Sequence, residues 1–108
     1  LSFLGDCPDL YRLSDDRYVV VIRAFDRDYY YLGYFTLPAD FAQLSQEKRL
    51  EVVSELSVNC LTKTSASNSH GDLAYPSMIS VDQNKTLVVY YDIDAGGVFA
   101  KVVKDSDF

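Results

Sequence analysis

Tryptophan is absent from this 108-residue chain, methionine and histidine occur once each (Met78, His70), and cysteine twice (Cys7, Cys60). One histidine and two distant thiols give no recognised zinc spacing, because such a site needs four ligands of these types. No metal or other cofactor is expected. A nucleophile pair of His70 with either cysteine would need fixed geometry, and His70 in Ser69-His70-Gly71-Asp72 reads as an exposed loop residue. Five glycines and three prolines are too few for a low-complexity or disordered chain, and no glycine-rich phosphate cradle is present. No run of about 20 apolar residues exists, so no transmembrane helix is expected. No charged-then-apolar signal pattern opens the chain either; it starts at Leu1 rather than Met, which leaves open that residues precede it.

Basic residues are also in deficit, ten Lys and Arg against sixteen Asp and Glu, for a net charge of −6. Sequence-independent binding to DNA or RNA rests on Lys and Arg displacing counterions from phosphates, so direct nucleic-acid contact is not expected. An acidic surface favours basic partners instead. Cys7 and Cys60, if joined, would close a long loop worth ~4 kcal/mol in the chain-entropy model. Cys60 lies in an apolar run of helical character and reads more naturally as a small buried hydrophobe. Unpaired thiols suit a cytoplasmic setting, where the sequon Asn84-Lys85-Thr86 carries no meaning.

What is abundant is apolar and aromatic: 48% hydrophobic residues and nine tyrosines, enough for one domain over residues 1–108 to build its own core. The richest stretch, Arg17 to Leu37, contains two β-prone runs, Arg17 to Phe25 and Tyr29 to Leu37, around Asp26-Arg27-Asp28. Residues 1 to 16 read as an edge strand or a draped segment. Pro38 ends the ladder and suits a helix start, and residues 39 to 61 have helical preference with a break near Ser45. Leu50, Val53, Leu56 and Cys60 form a stripe at helical spacing, giving that helix a core-facing side. Residues 62 to 76 read as a loop. Three strands follow, Ser77 to Val81, Thr86 to Ile93 and Val98 to Val103. The fold class is α+β, a mostly antiparallel sheet of about five strands with one principal helix, in the order β-β-α-β-β-β.

Side chains alternate along a strand. With a three-residue turn at Asp26 to Asp28, Tyr18, Val20, Ile22 and Ala24 share a face with Tyr30, Leu32 and Tyr34, opposite Val19, Val21, Arg23 and Phe25. Neither face is polar. In the C-terminal hairpin, Leu87, Val89, Tyr91, Val98 and Val102 form the face expected to be buried, while Val88, Tyr90, Asp92, Lys101 and Val103 form the other. One helix covers one face of the tyrosine hairpin, so the other face curls on its own sheet, is draped by residues 1 to 16, or meets another chain. A large exposed apolar patch marks an interaction site, and Tyr29, Tyr30, Tyr31 and Tyr34 with Arg23 and Arg27 have the Tyr and Arg bias of binding hot spots.

All three glutamates, Glu47, Glu51 and Glu55, fall at i, i+4 and i+8 and line one helix face. They read either as a solvated face balanced by Lys48 and Arg49, or as an acidic docking stripe. Three Asp-x-Asp pairs, Asp26/Asp28, Asp92/Asp94 and Asp105/Asp107, have the oxygen chemistry for a hard cation. Aspartate is equally a turn residue, and composition alone yields one or two such pairs. The resulting expectation is a non-catalytic acidic protein-binding domain, an inhibitor or immunity-type protein of the phage or toxin kind, covering a basic surface of its target or binding a second copy of itself. A structural subunit and a small divalent-metal enzyme using the aspartate pairs are the alternatives.

Overall fold

The computed structural model describes residues 4–25, 29–63 and 73–108, and within them the chain is α+β with antiparallel sheets and one main helix. Strand β1 (Leu4–Arg12), β2 (Tyr18–Phe25), β3 (Tyr30–Leu37) and β4 (Asn59–Lys63) form a four-stranded meander; β5 (Leu73–Asp82), β6 (Lys85–Asp92) and β7 (Gly97–Lys104) form a three-stranded one. The described strands thus number seven in two sheets rather than about five in one. Residues 1 to 16 supply an edge strand, β1, and the expected loop yields Thr62 and Lys63 to β4 and its last residues to β5. The remaining stretch, 64–72, lies outside the described residues, as does His70.

The helix differs most from expectation. It spans only Gln46–Ser54, α1, after a 3₁₀ turn at Phe41–Gln43. Ser45 caps it, accepting the Lys48 backbone N–H. It stops because Ser54, Ser57 and Asn59 compete for local backbone bonds and weaken helix propagation, and the Ser54 hydroxyl already donates to the Glu51 carbonyl. Cys60 therefore sits on β4, exposed, and both cysteines are free. No residue of α1 is buried, and only Val52 and Val53 on it are half-buried. Arg49 instead ties the helix to the preceding 3₁₀ turn, donating to the Phe41 and Ala42 carbonyls.

The core lies between the two sheets. Val19, Val21 and Leu32 from the first meet Leu73, Met78, Val88 and Val103 from the second, with Leu13 closing one end. Strand β5 runs nearest β1, and the two share a device: Cys7-Pro8 and Tyr75-Pro76 each place a residue with positive φ (51° and 52°) before a proline, within a bulge of the ladder. Proline cannot donate to a ladder and is tolerated at such bulges. The Tyr75 backbone N–H reaches the Cys7 sulfur, while burial and the neighbouring Asp6 charge push the Cys7 thiol pKa up.

Register settles which faces meet. Phe25 pairs with Tyr30 and Tyr18 with Leu37, leaving four residues, 26–29, between the strands rather than three. A one-residue change flips a strand's side chains to the opposite face. Tyr30, Leu32 and Tyr34 consequently share a face with Phe25, Arg23, Val21 and Val19, correcting the expected grouping. In the second sheet the grouping is as expected but its burial is inverted. Thr86, Val88 and Asp92 are buried together with Val103, whereas Val98 and Val102 are exposed and Leu87, Val89 and Tyr91 only half-buried.

A polar clamp holds that inward face. Asp105, buried in a 3₁₀ turn at Asp105–Asp107, accepts the Ser14 backbone N–H at 2.9 Å and the Thr86 hydroxyl at 2.8 Å. Its own N–H donates to the Asn84 carbonyl at 2.8 Å. Arg17 donates to the carbonyls of Asp105 and Phe108, both at 2.9 Å, and pairs with Asp15. Three segments distant in sequence, 14–17, 84–86 and 105–108, are thereby fixed at one end of the sandwich.

Candidate protein-interaction surface

The outer face of the second sheet is built by alternation and carries several exposed apolar side chains. Across β5, β6 and β7 the register aligns Ile79, Leu87 and Val102 in one row, then Ser77, Val89 and Ala100, then Tyr91 and Val98 beside Tyr75. Tyr75 and Tyr91 rings lie 5.5 Å apart at 31°. Exposure is high: Val98 74%, Tyr75 69%, Ile93 61%, Ile79 60% and Val102 55%. Scattered exposed hydrophobics are ordinary, whereas a large contiguous patch of them commonly marks an interaction site. Its ends are polar, Lys85 opposite Lys104 at one and Asp94 in the turn at the other.

Sequence reasoning missed this surface by assigning it to the core. Asp92 and Lys101 on the other face were the misleading signal. Asp92 is buried yet satisfied, its carboxylate accepting the Ala95 N–H at 3.2 Å and its carbonyl the Gly96 N–H at 3.0 Å. Lys101 lies at the sheet margin and donates to the Leu61 carbonyl at 3.1 Å, which lets its stem pack while its charge stays wet.

The residues read from sequence as a hot spot are largely committed internally. Arg23 forms a two-point pair with Asp6, at 2.7 and 2.6 Å, and lies over the Tyr30 ring. That guanidinium holds the Asp6 carboxyl below its usual pKa range against the opposing effect of burial. Tyr34 packs on the core, its ring edge-on to Phe108 at 5.2 Å and its hydroxyl donating to the Asp107 carbonyl at 3.1 Å. Tyr30 packs edge-on against Phe25, and Tyr29 lies under the Lys63 ammonium at 5.0 Å. Tyr31 is half-buried. Arg27, like Asp26 and Asp28, lies outside the described residues.

The glutamates are different. Glu47, Glu51 and Glu55 are all exposed, with Glu55 at the helix C-cap. Among the described residues none of them joins a salt bridge, since Arg49 is turned to the 3₁₀ turn. Leu50, 63% exposed, stands among them.

A cleft of about 410 Å³ opens between β4 and β7, lined by Tyr34, Cys60, Leu61, Lys104 and Asp107 among others. Among the described residues no group of three or more His, Cys, Asp or Glu is placed to hold a metal ion, and no helix is long and apolar enough to cross a membrane. Comparison with protein-family models, curated proteins and solved structures finds no match.

Proposed function

We propose that the chain is a non-catalytic protein-binding domain whose contact surface is the outer face of the β5–β6–β7 sheet. The observation that carries this reading is the row of exposed apolar side chains from Ile79 and Val102 to Val98 and Tyr75 on one continuous sheet face. The net charge of −6 and the exposed Glu47, Glu51 and Glu55, outside every salt bridge among the described residues, favour a basic protein as the target, met by an acidic inhibitor or immunity-type domain of phage or toxin systems. Free Cys7 and Cys60 suit a cytoplasmic setting.

Titration of a panel of basic nucleases with the chain, by calorimetry and by residual nuclease activity, tests the target class. Stoichiometric inhibition that weakens on Val98→Asp supports the reading. A panel without binding, in a chain whose outer face also fails to take up 1-anilinonaphthalene-8-sulfonate, overturns it.

A further inference from the structure

We propose that the free edge of β7, where it borders the cleft toward β4, takes up an extended acidic peptide segment of a partner as an added strand. This contact is separate from the outer sheet face.

Four strands end the two sheets, β1 and β4 in the first, β5 and β7 in the second. An open edge invites pairing with another chain unless it is short, bulged or interrupted by proline. β1 is bulged at Cys7-Pro8 and β5 at Tyr75-Pro76, and these two edges lie together. β4 has five residues and is bulged at Leu61. β7 has none of these guards: its eight residues pair with β6 in unbroken register, contain no proline, and all but Val103 are exposed. Alternate residues of an antiparallel strand turn their N–H and C=O groups away from the neighbour, so about four residues of β7 offer both groups on its open side.

The cleft runs along this edge. Lys101, Val102, Val103 and Lys104, four in a row, line it. Successive side chains of a strand point to opposite faces, so a strand that shows four consecutive residues to a cleft turns its hydrogen-bonding edge toward it. Cys60 and Leu61 of β4 stand across the cleft. The Lys101 ammonium reaches over to the Leu61 carbonyl at 3.1 Å, a side-chain link where paired strands would have a backbone ladder.

Charge names the occupant. Arg12, Arg17 and Arg23 each pair with an aspartate, whereas Lys85, Lys101 and Lys104 join no salt bridge among the described residues. Lys104 stands opposite Lys85 on β6, so a chain of net charge −6 gathers cations along this edge, with Asp107 the carboxylate set against them in the lining. Lysines on an edge weigh against pairing with the same edge of a second copy, while opposite charges across a strand pair stabilise it. The antiparallel segment that fits residues 101–104 reads acidic, apolar, apolar, acidic. Its outer residues meet Lys104 and Lys101 on opposite faces, and its middle pair meets Val103 and Val102. Lys101 exchanges the Leu61 carbonyl for a carboxylate. In strand addition the backbone bonds supply affinity and the side chains selectivity.

Fluorescence anisotropy with a labelled, end-capped Thr-Thr-Glu-Val-Val-Glu-Thr-Thr peptide tests the proposal, beside the same peptide with Lys in place of Glu. The acidic peptide is expected to bind and the basic one not. Lys104→Glu, at an exposed position, should weaken binding about threefold or more, and Lys101→Glu added to it at least about tenfold, because each reversal turns an attractive cross-strand pair repulsive. Circular dichroism spectra should be unchanged, and Lys48→Glu, the same charge change on α1, should leave binding as it is. Methylating the peptide's backbone nitrogens at odd positions removes the donors of one edge of an extended strand, and at even positions those of the other; one series should lose binding and the other keep it. Bound peptide should also slow alkylation of Cys60 by iodoacetamide. No binding of the acidic peptide at millimolar concentration overturns the proposal and leaves the lysines as guards of an edge that stays single. Equal binding by both methylated series, full binding by the double lysine variant, or Cys60 alkylated as fast as in the free chain overturns it as well, since the peptide then binds by charge alone or elsewhere.

Discussion

Removing the Asp105 carboxylate should cost this fold a large share of its stability. Its two oxygens accept the Ser14 N–H and the Thr86 hydroxyl, and Thr86 is 1% exposed. Hydrogen bonds to a charged group contribute about 1.5–3 kcal/mol each, and a buried donor left unmatched carries its own desolvation cost. Asp105→Ala is therefore expected to destabilise by about 3–5 kcal/mol, against a total of roughly 5–15 kcal/mol for a small domain. At about 4–8 °C per kcal/mol for a domain near 100 residues, the melting temperature should fall by at least about 12 °C. Thr86→Val removes one partner only and should cost less. In the Thr86→Val background Asp105→Ala should lose about 1 kcal/mol of its effect, the coupling expected of residues in contact.

The same site has a pH signature. Burial opposes ionisation of Asp105, but the hydrogen bonds from Ser14 and Thr86 and the nearby Arg17 charge outweigh it and hold its pKa below the usual value. A folded pKa below the unfolded one, ~3.9 for aspartate, means that the stabilisation is complete above that unfolded value. It is lost as pH falls through the folded one. Urea denaturation of wild type and Asp105→Asn from pH 7 to pH 2 should show the gap between them closing on the acid side. A gap below about 0.5 kcal/mol at neutral pH, the scale of ordinary surface substitutions, would refute the clamp as a determinant of stability.

Gly33→Ala should destabilise by about 1–3 kcal/mol, the usual cost of overpacking, because its new methyl would meet the Val58 side chain and lie near the Asn59 carbonyl; thermal melts would show it. Ser45→Ala should cost about 1 kcal/mol through loss of the cap on the Lys48 N–H, read by urea denaturation. Replacing Glu47, Glu51 and Glu55 together by Gln should slow association with a basic target and flatten its salt dependence, with dissociation little changed; stopped-flow rates across ionic strength check it.

The α+β class and five strand positions were legible because β-branched and aromatic residues cluster between turn residues, as in the hairpin closed by Gln83 and Asn84 between Asp82 and Lys85. Strand β4 was not. Asn59 to Lys63 continues the apolar spacing of the helix before it, and only tertiary pairing with β3 makes it a strand. The length of α1 was over-read for the same reason, since Leu56 and Cys60 fit a helical stripe that the intervening Ser57 and Asn59 do not sustain. Glu47 and Glu51 fall on α1 with Glu55 at its cap, exposed as the spacing allowed. The tyrosine cluster was visible as composition, but its use was not, because Tyr34 serves the core and Arg23 answers Asp6.

Two of the misreadings share one cause. Two sheets packed together bury two of their four faces against each other, yet here both faces of both sheets carry enough Val, Ile, Leu and Tyr to serve as core, and Ile22 and Ala24 are buried on the face opposite Val19 and Val21. Hydrophobic alternation cannot choose among them, and the choice falls to polar groups that fit in only one arrangement. Thr86 and Asp92 look like solvent-facing residues until their partners are known. Thr86 turned outward would forfeit Asp105, and with it the anchor of the C-terminal turn to Ser14. Tyr34 turned outward by a one-residue slip would forfeit the Asp107 carbonyl and the Phe108 ring. Both choices run through residues 105 to 108. The last four positions of the chain, which carry no strand or helix pattern, thus select the inward faces, and by doing so they leave Ile79, Val98 and Val102 facing outward.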